Sequence, residues 1–171
     1  MDTESLVLAA KQGDDEAFYM LIDENKALLY KIAFSYLKND VDVLEAIQET
    51  TYKAYIKIQK LREPKYFKTW LIRILINHCL DEIKLRKRTV FSKVETISET
   101  DDYKKIGLEI AVENLQPKYR NVIILKYFHD LTIKDIAEIL EKPESTIKTW
   151  LSKALLDLRK YFQKDGESSY V

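Results

Sequence analysis

Glycine and proline are scarce, with three of each in 171 residues. A sheet-rich fold turning tightly many times needs more of both, so the composition points to an all-helical protein. The single cysteine, Cys79, excludes an intramolecular disulfide and fits a reducing compartment. Histidine is nearly absent: His78 beside Cys79, and His129 far along the chain. Adjacent residues point to different helix faces and no fourth ligand is suitably spaced, so no metal is expected. The opening MDTESLVLAAKQGDDEAF is acidic, with a short, interrupted apolar run. It reads as neither signal peptide nor membrane span, and a soluble cytoplasmic protein is expected. Phosphate-binding glycine loop, nucleophile elbow and matched carboxylate pair are all missing, so the sequence offers no active site, no cofactor and no small-molecule substrate. Net charge is also missing, with 28 basic and 28 acidic side chains. That excludes a uniformly basic nucleic-acid coat while leaving room for a local one.

What is present is apolar material in helical register. At 46% hydrophobic and 33% charged residues the chain is too apolar to be disordered. From Asp14 to about Leu37, Phe18, Leu21, Ile22, Leu28, Leu29, Ile32, Ala33, Tyr36 and Leu37 form one stripe. Asn39-Asp40 interrupts it, and a second helix places Val43, Leu44, Ile47, Thr51, Ala54, Tyr55 and Ile58 on its buried side. After Pro64 a third helix runs from about Tyr66 to Arg86, with Trp70, Leu71, Ile74, Leu75, His78 and Ile83 available for packing. Together these form a first domain, residues 1–88, as a three- or four-helix bundle.

Residues 89–105 are polar and rich in Ser and Thr, and read as a flexible linker. Residues 106–171 form a second small helical domain. In it, Leu108–Leu115 is a short helix, Pro117 opens another reaching about Phe128, and Thr132 with Asp135 caps a third ending at Leu140. Pro143 opens the last, with Ile147, Leu151, Ala154, Leu155, Leu158 and Phe162 as its stripe. A short helix, a tight break and a longer helix make a helix-turn-helix candidate. Glu141 occupies the turn position where glycine is commonest and Lys142 follows where an apolar residue is usual, so the turn either carries backbone strain or is built slightly differently.

The zero net charge conceals segregation. From Gly13 to Glu49 nine acids face three bases, whereas from Lys60 to Arg88 nine bases face three acids. The basic stretch carries Tyr66, Phe67 and Trp70, a chemistry suited to separated DNA strands: cations follow phosphates and aromatic faces receive unstacked bases. A solvated helix face over core aromatics accounts for the same pattern, and both readings stand at this level. The acidic half is repelled by DNA and better suits a basic protein surface. On the last helix Ser145, Thr146, Lys148, Thr149, Ser152 and Lys153 combine short hydroxyls with long cations, suited to phosphates and base edges in a major groove. Trp150 lies beside the packing stripe, where it can either pack or touch DNA.

Asp42-Val-Leu-Glu-Ala-Ile-Gln48-Glu49-Thr-Thr-Tyr52 and the run from Phe67 through Trp70, Arg73, Asn77 and Asp81 to Arg88 resemble region 2 of the extracytoplasmic-function sigma factors, the smallest class of the housekeeping-sigma family. Leu115-Gln-Pro117-Lys-Tyr-Arg120, followed by Ile133 to Leu158, resembles region 4. The resemblance spans nearly the whole chain, with its motifs in order and a linker between them.

It implies that Asp42, Glu45, Gln48 and Glu49 bind the coiled coil in the largest subunit of core RNA polymerase. Tyr66, Phe67, Trp70, Arg73, Asn77, Lys84 and Arg86 would serve the −10 element, with Asn77 helping to capture a flipped base. Ser145, Thr146, Lys148, Thr149, Trp150, Ser152 and Lys153 would face the −35 element, although family members usually carry arginine where Trp150 stands. A cognate anti-sigma factor, often membrane-anchored, is implied as a further partner and would hold the protein at the membrane face. Two other readings are open: a conventional helix-turn-helix regulator that binds DNA without polymerase, and a DNA-modifying enzyme. The first predicts promoter binding by the isolated chain. The second needs an acidic or histidine cluster, which the sequence does not supply.

Overall fold

In the computed structural model, residues 1–89 and 103–168 are described, and among them the secondary structure is wholly helical. The chain divides into two compact units, Met1–Ser92 and Lys93–Val171. Most of the expected linker lies outside the described residues. At its two ends Thr89 still closes a helix and Tyr103 already opens one, ahead of the expected start at Leu108.

The first unit contains α1 (Thr3–Lys11), α2 (Asp15–Leu37), α3 (Asp40–Lys57) and α4 (Phe67–Thr89). Each of the first three starts on a side-chain cap: Asp2 accepts from the Ser5 amide at 2.8 Å, Asp14 from Ala17 at 3.0 Å and Asn39 from Asp42 at 2.9 Å. These caps satisfy backbone donors that a helix start leaves unpaired. Gly13, at φ +96°, makes the turn between α1 and α2 in a conformation that other residues rarely adopt. Two single-turn 3-10 segments, Ile58–Lys60 and Pro64–Tyr66, connect α3 to α4.

The stripe expected on α2 packs as read, with Leu21, Leu29, Ile32 and Ala33 fully buried. Against it lie Val43, Ala46 and Ala54 of α3 and Phe67, Leu71, Leu75, Ile76 and Cys79 of α4. Helix α1, absent from the sequence expectation, adds Leu6 and Val7 to this core. It also clamps the α3–α4 connection: the Lys11 ammonium donates to the Leu61 carbonyl at 2.6 Å, and the Gln59 amide donates to the Lys11 carbonyl at 2.7 Å.

The second unit contains α5 (Tyr103–Glu113), α6 (Pro117–Ile123), a π-helical turn (Ile124–Phe128), α7 (Ile133–Leu140) and α8 (Glu144–Ser168). Pro117 opens α6 and Thr132 caps α7 by accepting from the Asp135 amide at 3.1 Å, both as expected. The Arg120 guanidinium donates to the Glu113 and Leu115 carbonyls at 2.6 and 3.2 Å, satisfying acceptors at the end of α5. Val122, Leu125, Ile136, Ile147 and Ala154 form the centre of this core. Leu155 and Phe162, expected in the packing stripe of α8, are instead exposed. None of the helices among the described residues is long and apolar enough to cross a membrane.

Candidate nucleic-acid and protein interfaces

The outer face of α3 is a mixed acidic and apolar surface. Residues advance about 100° each around a helix, so Val41, Leu44, Glu45, Gln48, Tyr52 and Tyr55 share one side, opposite buried Val43, Ala46, Thr50 and Ala54. All six of the former are exposed, Leu44 by 60% and Tyr52 by 61%. Sequence periodicity placed Leu44 and Tyr55 inside, but the core side of this helix is built from small residues. Tyr55 is held against α2, where its ring meets Phe18 edge-on at 5.2 Å and its hydroxyl donates to Asp15 at 2.7 Å. Glu49, at the flank, pairs with Lys53 at 3.5 Å.

Asp42 does not join this outer face. It turns toward α4, accepting from the side-chain amide of Asn39 and from the guanidinium of Arg86. These donors, Asn39 foremost, hold its carboxyl below the ordinary carboxylate range against the opposing effect of burial. The expected polymerase set is therefore divided: Glu45, Gln48 and Glu49 lie outward, and Asp42 is engaged within the unit.

The expected −10 set divides as well. Trp70, Arg73, Asn77 and Lys84 follow spacings of three, four and seven residues, which places them in one row along α4. Asn77 and Lys84 are exposed, while Trp70 and Arg73 are half-buried. Tyr66 stands just before this row, half-buried, with the Lys65 ammonium 4.9 Å from its ring centroid. Phe67 is a correction to the sequence expectation. It is fully buried, its ring 5.9 Å from that of Trp70, so it supports the row from the core and offers no face to a base. Arg86 is a second correction: nine residues after Asn77, it lies on the opposite side of α4, where it meets Asp42. Arg88, missed in the sequence reading, falls back on the row eleven residues after Asn77 and is exposed.

On α8, Ser145, Lys148, Thr149, Ser152 and Lys153 form one exposed arc. Thr146 and Trp150 are half-buried at its border with the packing stripe. The Thr149 hydroxyl donates to the Ser145 carbonyl at 3.0 Å, which fixes its orientation and leaves its lone pairs outward. Of the two forms open to the turn before α8, the strained one is present: Glu141 adopts φ 55°, ψ 47°. The Cys79 thiol is buried and pushed up to about 12 by desolvation, which makes it inert.

Residues 21–89 match the Sigma-70 region 2 family and residues 108–158 match Sigma-70, region 4. The chain is 33% identical over 163 residues to the RNA polymerase sigma factor SigV of Bacillus subtilis (strain 168), covering 92% of this chain and 98% of the relative. It is 29% identical over 170 residues to the ECF RNA polymerase sigma factor SigW of the same organism, covering 88% and 91%. The chain belongs to the Sigma-70 family of RNA polymerase sigma factors, in its extracytoplasmic-function class. It is an alternative sigma factor.

Two solved structures share the fold. CnrH in complex with the cytosolic domain of CnrY superposes with a TM-score of 0.73 at 19% identity, covering 95% of this chain and 98% of that one. The sigma factor RpoE in complex with the anti-sigma factor NepR from Bartonella quintana gives 0.64 at 23% identity, covering 80% and 91%.

Proposed function

We propose that the outer face of α3 docks this sigma factor on the coiled coil in the largest subunit of core RNA polymerase, and that Leu44 and Tyr52 anchor the contact. The observation that carries this reading is the exposure of two large apolar side chains among Glu45, Gln48 and Glu49. An apolar centre within a charged rim is the anatomy of a protein interface, and the acids disfavour DNA as its occupant.

Once docked, the row of Trp70, Arg73, Asn77, Lys84 and Arg88 would lie along the opened non-template strand of the −10 element. Its cations follow phosphates, and the Asn77 amide meets the hydrogen-bonding edge of a flipped base. The exposed arc of α8 would enter the major groove at −35, with Lys148 and Lys153 on phosphates and the hydroxyls of Ser145, Thr149 and Ser152 near base edges. The protein has no catalysis of its own and works in the cytoplasm. A cognate anti-sigma factor would restrain it by covering the α3 and α4 surfaces, and membrane anchorage of that partner would hold the complex at the membrane face.

Equilibrium binding to core polymerase tests the docking surface. Leu44→Asp is expected to weaken binding about 30-fold or more, corresponding to about 2 kcal/mol for a central interface residue, and Glu49→Lys, a charge reversal on the rim, to weaken it in the same direction. Their thermal unfolding should match that of the parent, since both side chains face outward. Wild-type affinity in both variants would overturn the assignment.

A further inference from the structure

Two aromatic rings on different helices share one ammonium group in the second unit. Lys118, the second residue of α6, is exposed, and its Nζ lies 5.1 Å from the ring centroid of Tyr119 and 5.8 Å from that of Trp150. Tyr119 is buried, so it provides a fixed floor. Trp150 reaches across from α8, half-buried at the border of the exposed arc. Both rings lie within the distance at which a cation is drawn to an aromatic face. Among the described residues no carboxylate pairs with Lys118. The rings therefore restrict a long, flexible side chain without neutralising it. A cation so held loses less freedom on meeting an anion than a lysine moving freely in water.

We infer that Lys118 is a phosphate-contact residue of the duplex-binding surface, and that Trp150 is a positioning residue that acts through it. This rests on the reading of α8 as the helix that enters the −35 major groove. Lys118 lies outside the helix-turn-helix, so the contact extends the surface onto α6. On this inference the Trp150 ring holds a cation beside the groove and reads no base. A phosphate contact fixes register and orientation and carries no base information of its own.

The test uses the full chain assembled with core polymerase, on promoter duplexes with an intact or a scrambled upstream element, over a range of KCl concentrations. Lys118→Gln should weaken complex formation about 3- to 10-fold and flatten the plot of log affinity against log salt by about one, the value for one lost phosphate contact. Preference among single-base changes in the upstream element should stay unchanged. Lys118→Arg should restore both affinity and slope. Trp150→Leu should reproduce the Lys118→Gln loss, Trp150→Phe should retain part of the affinity, and the double variant Lys118→Gln/Trp150→Leu should be no weaker than either single change.

An unchanged salt slope in Lys118→Gln would overturn the proposal, as would additive losses or a shifted base preference in Trp150→Leu. Lys118 is exposed, so its slope decides the matter whatever Trp150→Leu does to packing. If the wild-type chain itself ignored the upstream element, the reading of α8 would fall and this assignment with it. An intact upstream dependence with an unaltered Lys118→Gln variant would overturn this assignment alone.

Discussion

Asp42 and Arg86 stand where a purely functional reading of either residue is incomplete. Each carries the charge expected of its surface, yet they neutralise one another across α3 and α4, with Asn39 as a third member. Their side chains are 29% and 38% exposed, so water screens the pair and its net worth is about 1 kcal/mol or less. Because the folded carboxyl sits below its ordinary value, the stability it contributes is present above the unfolded-state pKa, near 3.8, and is lost as pH falls through the folded-state value. Urea unfolding of the first unit should therefore show Asp42→Asn less stable than wild type at pH 7, with the gap narrowing as pH falls below about 3.8. A gap that does not change with pH would show that the carboxylate charge plays no part. The residue scale also marks where sequence reading stops. Asn77, Lys84 and Lys148 are exposed on the faces their spacing indicated. Phe67 and Arg86 have the right chemistry on the wrong side, because composition reports which groups a segment carries and not where each one points.

At the scale of elements, helices with a single apolar stripe were legible and those with two were not. α2 and α4 follow their periodicity because one face alone is buried, and α8 does so through Ile147, Leu151, Ala154 and Leu158 while Leu155 and Phe162 stay exposed. α3 carries apolar residues on both sides, and the smaller set, Val43, Ala46 and Ala54, is the one that packs. Periodicity selects the larger side chains and so turned this helix partly inside out, hiding Leu44 and Tyr55. α1 goes unread because nine residues are too short to form a helix unaided; its stability comes from packing on α2. The π-helical turn at Ile124–Phe128 shifts the register by one residue and has no periodic signature. The turn between α7 and α8 was legible, and it makes a prediction. A left-handed backbone costs a residue with a Cβ roughly 1–2 kcal/mol, while glycine recovers part of that against a freer unfolded chain. Glu141→Gly should stabilise the second unit by about 0.5–1 kcal/mol, and Glu141→Val should destabilise it. Hydrogen exchange at the amides of α7 and α8 reads both, and faster exchange in the glycine variant would show that the turn is not strained as described.

For the whole molecule, a balanced net charge is compatible with strong local fields because the opposite signs occupy different helices. In the proposed reading each unit would offer DNA a small surface of a few cations and polar groups, too little for tight selective binding alone. Fixing both on one polymerase makes the second contact effectively intramolecular, and the affinities then compound without any new contact. Promoter choice is in this account a property of the assembly. The most direct measurement is start-site-resolved transcription by core polymerase on a pool of genomic promoters, with and without the purified chain. The account predicts a discrete set of new start sites sharing upstream and downstream elements, present with the wild-type chain and lost with Leu44→Asp. Start sites indistinguishable from those of core polymerase alone would contradict it.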